Sequence, residues 1–145
     1  MNLLPKPDKK ATINRVKHFF TDNDGWPQIK RLSGCQTPYF AKHRIPSVED
    51  DERYQRYLSF CMAYQTVQNA VGGCSKDSRI IIKSKYLPSG ESIMADWKIQ
   101  QVLNCEKTKY RELDAEARLE FADCLESEAF KAGVTQIIPD LHEYA

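Results

Sequence analysis

The stretch MADWKIQQVLNCEKTKYRELDAEARLEFADCL, Met94 to Leu125, decides how the chain is read, because two helical periodicities meet in it across a tight turn. Ala95, Ile99, Val102 and Leu103 collect on one face of a 3.6-residue helix. Asn104 marks the turn, since Asn is one of the few non-glycine residues that enters the left-handed region at low cost. From Lys107 a second stripe begins: Tyr110, Leu113, Ala117, Phe121 and Leu125 recur at steps of three, four, four and four. The opposite face carries Thr108, Arg111, Glu112 and Ala115, with Lys109 to one side and Lys107 and Arg118 beside the stripe. The spacing predicts a helix-turn-helix whose second helix has a polar face suited to a DNA major groove. The plain alternative is a helical hairpin whose charged face is only solvated.

Working outward, the preceding segments also read as helical. Ser47 is placed to cap a long helix from Glu49 to Val71, with Glu49, Asp50, Asp51 and Glu52 at the positive end of its dipole. Tyr54, Tyr57, Leu58, Cys61, Tyr64, Val67 and Val71 form its apolar stripe, read as core rather than as a base-stacking platform. Gly72-Gly73 stops it. Ser75 is then placed to cap a helix from Asp77 to Tyr86, although Ile80-Ile81-Ile82 is equally a strand sequence, and no partner strand is visible elsewhere. Leu87-Pro88-Ser89-Gly90 turns the chain into the Asp96–Leu103 helix. At the other end, Asp8 or Thr12 is placed to cap an amphipathic helix carrying Ile13, Val16, Phe19 and Phe20, and Thr21 to Gly25 closes it. Trp26, Ile29 and Leu32 mark a further short helix with a small satellite core, and Cys35 to Pro46 reads as an ordered connector. The fold expected is all-α: a helical bundle with a C-terminal helix-turn-helix and an N-terminal helical arm. Residues 1–46 form the arm and connector, 47–132 the helix-turn-helix domain, and 133–145 a tail.

Composition narrows the function. The 145 residues suffice for one domain that buries roughly two-thirds of its unfolded surface. With 28% charged and 41% hydrophobic residues the chain is ordinary globular protein. A net charge of +1 makes it no magnet for phosphate, so DNA binding depends on local charge placement and on a partner protein. No run of about 18 apolar residues predicts a membrane span, and MNLLPKPDKK lacks a signal-peptide core, so the cytoplasm is the expected compartment. Cys35, Cys61, Cys74, Cys105 and Cys124 include no C-x-x-C pair and read as free thiols. His18, His43 and His142 are far apart in sequence and read as solvated or half-buried, without a metal or cofactor. No nucleophile, base and oxyanion-donor constellation is visible, and the chain is read as a non-enzyme.

The run LNCEKTKYRELDAEARLEF, preceded by ADWKIQQV, resembles the fourth region of bacterial sigma factors. The shared features are the turn at Asn104-Cys105, the polar triplet Lys107-Thr108-Lys109, the apolar Tyr110 and the small Ala117. The likeness extends to the ArpU family of phage transcriptional regulators, through Asp96-Trp97, Leu119-Glu120-Phe121-Ala122, Tyr86-Leu87, Thr37-Pro38 and Ile45-Pro46-Ser47. That resemblance implies a sequence-specific regulator of phage late genes, binding double-stranded DNA in concert with host RNA polymerase. It implies that Lys107, Thr108, Lys109 and Arg111 lie nearest the bases and phosphates, and Arg118 joins them as a basic residue further along. Glu112, Asp114, Glu116 and Glu120 make the helix more acidic than the family's usual one. A polymerase-binding adaptor that does not itself read DNA is the alternative.

Overall fold

The computed structural model describes residues 6–34, 51–87 and 94–144, and every regular element among them is a helix. They are α1 (Lys9–Thr21), α2 (Trp26–Leu32), α3 (Asp51–Gly72), α4 (Lys76–Lys85), α5 (Asp96–Leu103) and α6 (Lys107–Ala132). The expected all-α fold is therefore the observed one. The connector from Cys35 to Pro46, the Ser47 cap and the Pro88 to Gly90 turn lie outside the described residues.

The long α6 is the axis, flanked by α1, α3 and α4; α2 lies on α1 and α3, and α5 on α4. It runs seven residues beyond the predicted end at Leu125, because the stripe continues one step to buried Ala129 before Gly133 stops the helix at φ 70°. The triple isoleucine of α4 is helical, with Ile81 and Ile82 fully buried. Asp8 caps α1, its carboxylate accepting from the Ala11 amide at 3.1 Å. The turn after α1 requires Gly25: a Cβ there would run into the Phe19 carbonyl.

One core serves all of these elements. Phe20 stacks on Tyr86 at 4.8 Å and packs on Phe121 at 4.9 Å, joining α1, the end of α4 and α6. Trp26 stacks on Tyr64 at 5.2 Å, so α2 is seated on α3. The satellite core expected at Trp26 and Ile29 is thus part of the main cluster, and the helices read as an arm contribute Val16, Phe19 and Phe20 to it. The α3 stripe keeps Val67 and Val71 as expected but is otherwise rotated from the expected one. Phe60, Ala63, Thr66, Val67, Ala70 and Val71 are its buried positions, while Tyr54, Tyr57, Leu58, Cys61 and Tyr64 are half-buried. Small residues, Ala63 and Ala70, share the inner line with Phe60, Val67 and Val71, which a pattern that weights large apolar residues does not pick out. Cys74 is buried beside Cys124, and burial followed by that neighbour pushes its thiol up to about 12.

The tail packs back. Val134, Ile138 and Leu141 are buried, Pro7 bridges Tyr144, and the Glu143 amide donates to Thr12 Oγ1 at 3.1 Å. Thr12, an alternative cap in the sequence reading, is a docking point for the tail. Arg15 adds a 3.4 Å contact to Glu143.

Candidate nucleic-acid interface

The turn between α5 and α6 is made as the sequence predicts. Asn104 takes φ 53° and ψ 52°, the left-handed region, and the Cys105 amide reaches back to the Gln100 carbonyl at 3.3 Å. Helix α6 then starts at Lys107 with Glu106 in the extended cap position and no side chain bonded to its first amides. Those amides point outward at the positive end of a 26-residue helix, a place that favours an anion.

A polar network fixes α5 and the start of α6 on α4. Tyr110 Oη donates to Asp96 Oδ1 at 2.9 Å, tying the first turn of α6 to the first turn of α5. Lys85 Nζ, from the last turn of α4, lies 3.3 Å from Asp96 Oδ1 and 3.2 Å from Asp114 Oδ2. Arg118 completes it at 2.9 Å from Asp114 Oδ2, its guanidinium 5.5 Å from the Tyr86 ring centre. Burial pushes the Asp96 carboxyl up, but the Tyr110 hydroxyl and the Lys85 ammonium outweigh it and hold the group below the usual carboxylate range. Burial and then the bond to Asp96 raise the Tyr110 phenol, which keeps its proton as donor. Shared ion pairs of this kind hold orientation, because moving any one helix breaks two contacts at once.

The same network disposes of much of the helix's acidity. Asp114 is only 14% exposed, between Lys85 and Arg118. Glu120 turns toward α4, where its Oε1 accepts from the Ser75 amide and its Oε2 from Ser75 Oγ at 3.0 Å and Ser78 Oγ at 2.8 Å. Helix α4 is thus capped by a carboxylate from α6, and not by the Ser75 side chain as the sequence reading expects. Glu112 lies 3.9 Å from Lys109. Glu106 and Glu116 stay exposed.

The sequence-predicted contacts divide accordingly. Lys107, Thr108, Lys109 and Arg111 are all exposed at the start of α6. Lys107 and Arg111 make no ion pair among the described residues, and Lys109 borders a shallow hollow of about 490 Å³ with Asn104, Cys105 and Glu106. Arg118 is the correction. Its side chain is 14% exposed and bound to Asp114, so it holds the scaffold and does not face solvent. On α5, Ile99 alone of the predicted stripe is fully buried, and Val102 is 59% exposed. Trp97 is equally exposed, 5.5 Å beneath Lys98.

A second polar cluster escapes the sequence reading. His142, expected to be solvated or half-buried, is 94% buried by side chain among three carboxylates: Nε2 is 2.7 Å from Asp123, and Nδ1 is 2.6 Å from Asp140 and 3.2 Å from Glu126. Burial works against charge on the ring, yet the carboxylates outweigh it and raise its pKa above the ordinary value. Asp140, two residues away, was visible in the sequence, whereas Asp123 and Glu126 are brought in only when the tail folds back on α6. Comparisons with family models, curated proteins and solved structures find no match.

Proposed function

We propose that the chain is a sequence-specific DNA-binding transcriptional regulator that lays the start of α6 in the major groove. The observation that carries this reading is the division of charge on α6: Asp114 and Glu120 are engaged inward, while Lys107, Thr108, Lys109 and Arg111 stand exposed beside uncapped helix amides. A phosphate meets cations and N–H donors there, and Arg111 is one turn along, where a guanidinium reaches base edges. The resemblance to phage late-gene regulators makes late-promoter DNA the natural target and host RNA polymerase the natural partner. The adaptor reading draws support from the net charge of +1 and from exposed Glu106, Glu112 and Glu116 interleaved with the cations. Selection of bound duplexes from a random pool, followed by gel shifts with and without host polymerase, separates the two. Enrichment of a motif by the protein alone supports the direct reader. Binding that appears only with polymerase, without motif enrichment, supports the adaptor.

A further inference from the structure

We propose that His142, Asp140 and Glu126 form a binding site for a divalent metal ion of the zinc class, with Asp123 orienting the imidazole. One donor atom from each of the three ligands falls within 4.8 Å of the others. Their contacts to the ring nitrogen fit this role: Glu126 Oε2 lies 3.2 Å from Nδ1, close to the roughly 3.3 Å that separates two ligands bonded at 2.0 to 2.1 Å around a tetrahedral ion. Asp140 Oδ1, at 2.6 Å, opens by a fraction of an ångström to admit the ion.

Two further observations fit an ion at this site. The first concerns the other ring nitrogen. Nε2 lies 2.7 Å from Asp123, and when it gives its proton there Nδ1 can offer its lone pair to an ion, the arrangement that supports metal-binding histidines. Proton binding at Nδ1 serves one of the two carboxylates facing it, whereas a divalent ion serves both. The second is charge. Asp123, Glu126 and Asp140 have no Lys or Arg ion pair among the described residues, and the Arg15 guanidinium, close to His142, is engaged by the His142 carbonyl and Glu143. With the ring neutral, as a metal ligand must be, the three carboxylates leave a charge that a divalent ion largely cancels. Access is open, because Asp123, Glu126 and Asp140 also line a groove of about 440 Å³ between the end of α6 and the tail, which leaves a coordination position for water. The site joins α6 to the tail, so an ion there locks residues 134–144 onto the bundle.

The test is titration of the chelator-treated full chain with Zn²⁺ by calorimetry, and with Co²⁺ by visible absorption, after alkylating the thiols to remove cysteine binding. One ion per chain is expected, with the nitrogen and oxygen Co²⁺ spectrum of a four- or five-coordinate site. Glu126→Gln and Asp140→Asn should each weaken binding at least tenfold, His142→Gln should abolish it, and Glu128→Gln, outside the cluster, should leave it unchanged. The carboxylate variants keep the test valid if His142→Gln loosens the tail, which proteolysis of the tail reports. Absence of saturable binding up to 100-fold excess Zn²⁺ overturns the proposal. So does affinity that survives Glu126→Gln and Asp140→Asn together in a folded protein.

Discussion

The two halves of α6 are held by different physics. From Lys107 to Arg118 the apolar stripe of Tyr110, Leu113 and Ala117 is joined by a polar network, in which Asp96, Tyr110, Lys85, Asp114 and Arg118 fix the helix on α4 and α5 through directional bonds. From Leu119 to Ala132 the inward side is apolar, with Phe121, Ala122, Leu125 and Ala129 buried against the other helices and the tail. Apolar burial scales with area and tolerates small rotations, whereas a chain of ion pairs tolerates few. The C-terminal half therefore supplies stability and the N-terminal half supplies position, as the proposed duplex-reading surface would need.

The largest effect should come from the apolar half. Phe121 is fully buried and touches Phe19 at 6.2 Å and Phe20 at 4.9 Å between ring centres. Phe121→Ala should cost about 3 to 5 kcal/mol, read by denaturant unfolding, because it removes the ring that α1 packs on and leaves a cavity. A loss below about 1 kcal/mol would show that the core does not depend on this ring, and would erase the contrast between the two halves.

Next comes Glu120, the residue at the boundary. Removing a helix cap costs roughly 1 to 2 kcal/mol, the range expected for Glu120→Ala. Burial raises its carboxyl, but the Ser75 amide and the Ser78 and Ser75 hydroxyls outweigh it and lower the pKa below the usual 4.5. A carboxyl depressed on folding stabilises the protein above its unfolded pKa and loses that contribution as pH falls through the folded value. Stability should therefore decline below about pH 4.5 in the wild type, and the decline should be shallower in Glu120→Gln. Identical slopes in the two proteins would mean that the cap carries no charge-dependent energy.

This boundary also shows what could be read from the sequence. The elements, the Asn104 turn and the Tyr110-to-Leu125 stripe were legible, since each depends on residues within a turn or two of one another. Glu120 under α4 was not, because 45 residues separate it from Ser75 and an acid on a helix carries no sign of whether it caps another. Arg118 was misread for the same reason: position on a helical wheel places it beside the stripe, and only the partners Asp114 and Tyr86 decide that it turns inward. On α3, Val67 and Val71 were legible, whereas the inner positions of Ala63, Thr66 and Ala70 were not, because small or polar residues carry little apolar signal. Of the candidate surface, the four exposed residues at the α6 start were legible, and the scaffold that orients them was not.

The polar half yields smaller effects, on binding more than on folding. Arg111 is exposed and makes no ion pair among the described residues, so Arg111→Ala should change stability by less than about 0.5 kcal/mol. On the selected duplex it should cost roughly 1 to 3 kcal/mol of binding and relax preference at one base position, as expected when a bidentate guanine contact is lost. A mutant that binds more weakly yet keeps every base preference would move Arg111 from base reader to phosphate contact.

The smallest and most specific effect belongs to Lys107, the first residue of α6. Its ammonium is a point charge beside the uncapped amides, suited to a phosphate and not to a base edge. Lys107→Ala should therefore weaken binding about equally on all sequences and reduce the slope of log K against log salt by about one unit, the signature of a single lost phosphate contact. Because no ion pair among the described residues holds this side chain, thermal unfolding should not move. The comparison with Arg111 makes the pair decisive: equal losses on all sequences for one residue and position-specific losses for the other would orient α6 with its first turn on the backbone and its second in the groove. Unchanged affinity and salt slope in both variants would leave the positioned end of α6 without a duplex to position, and the polymerase adaptor would then be the function to pursue.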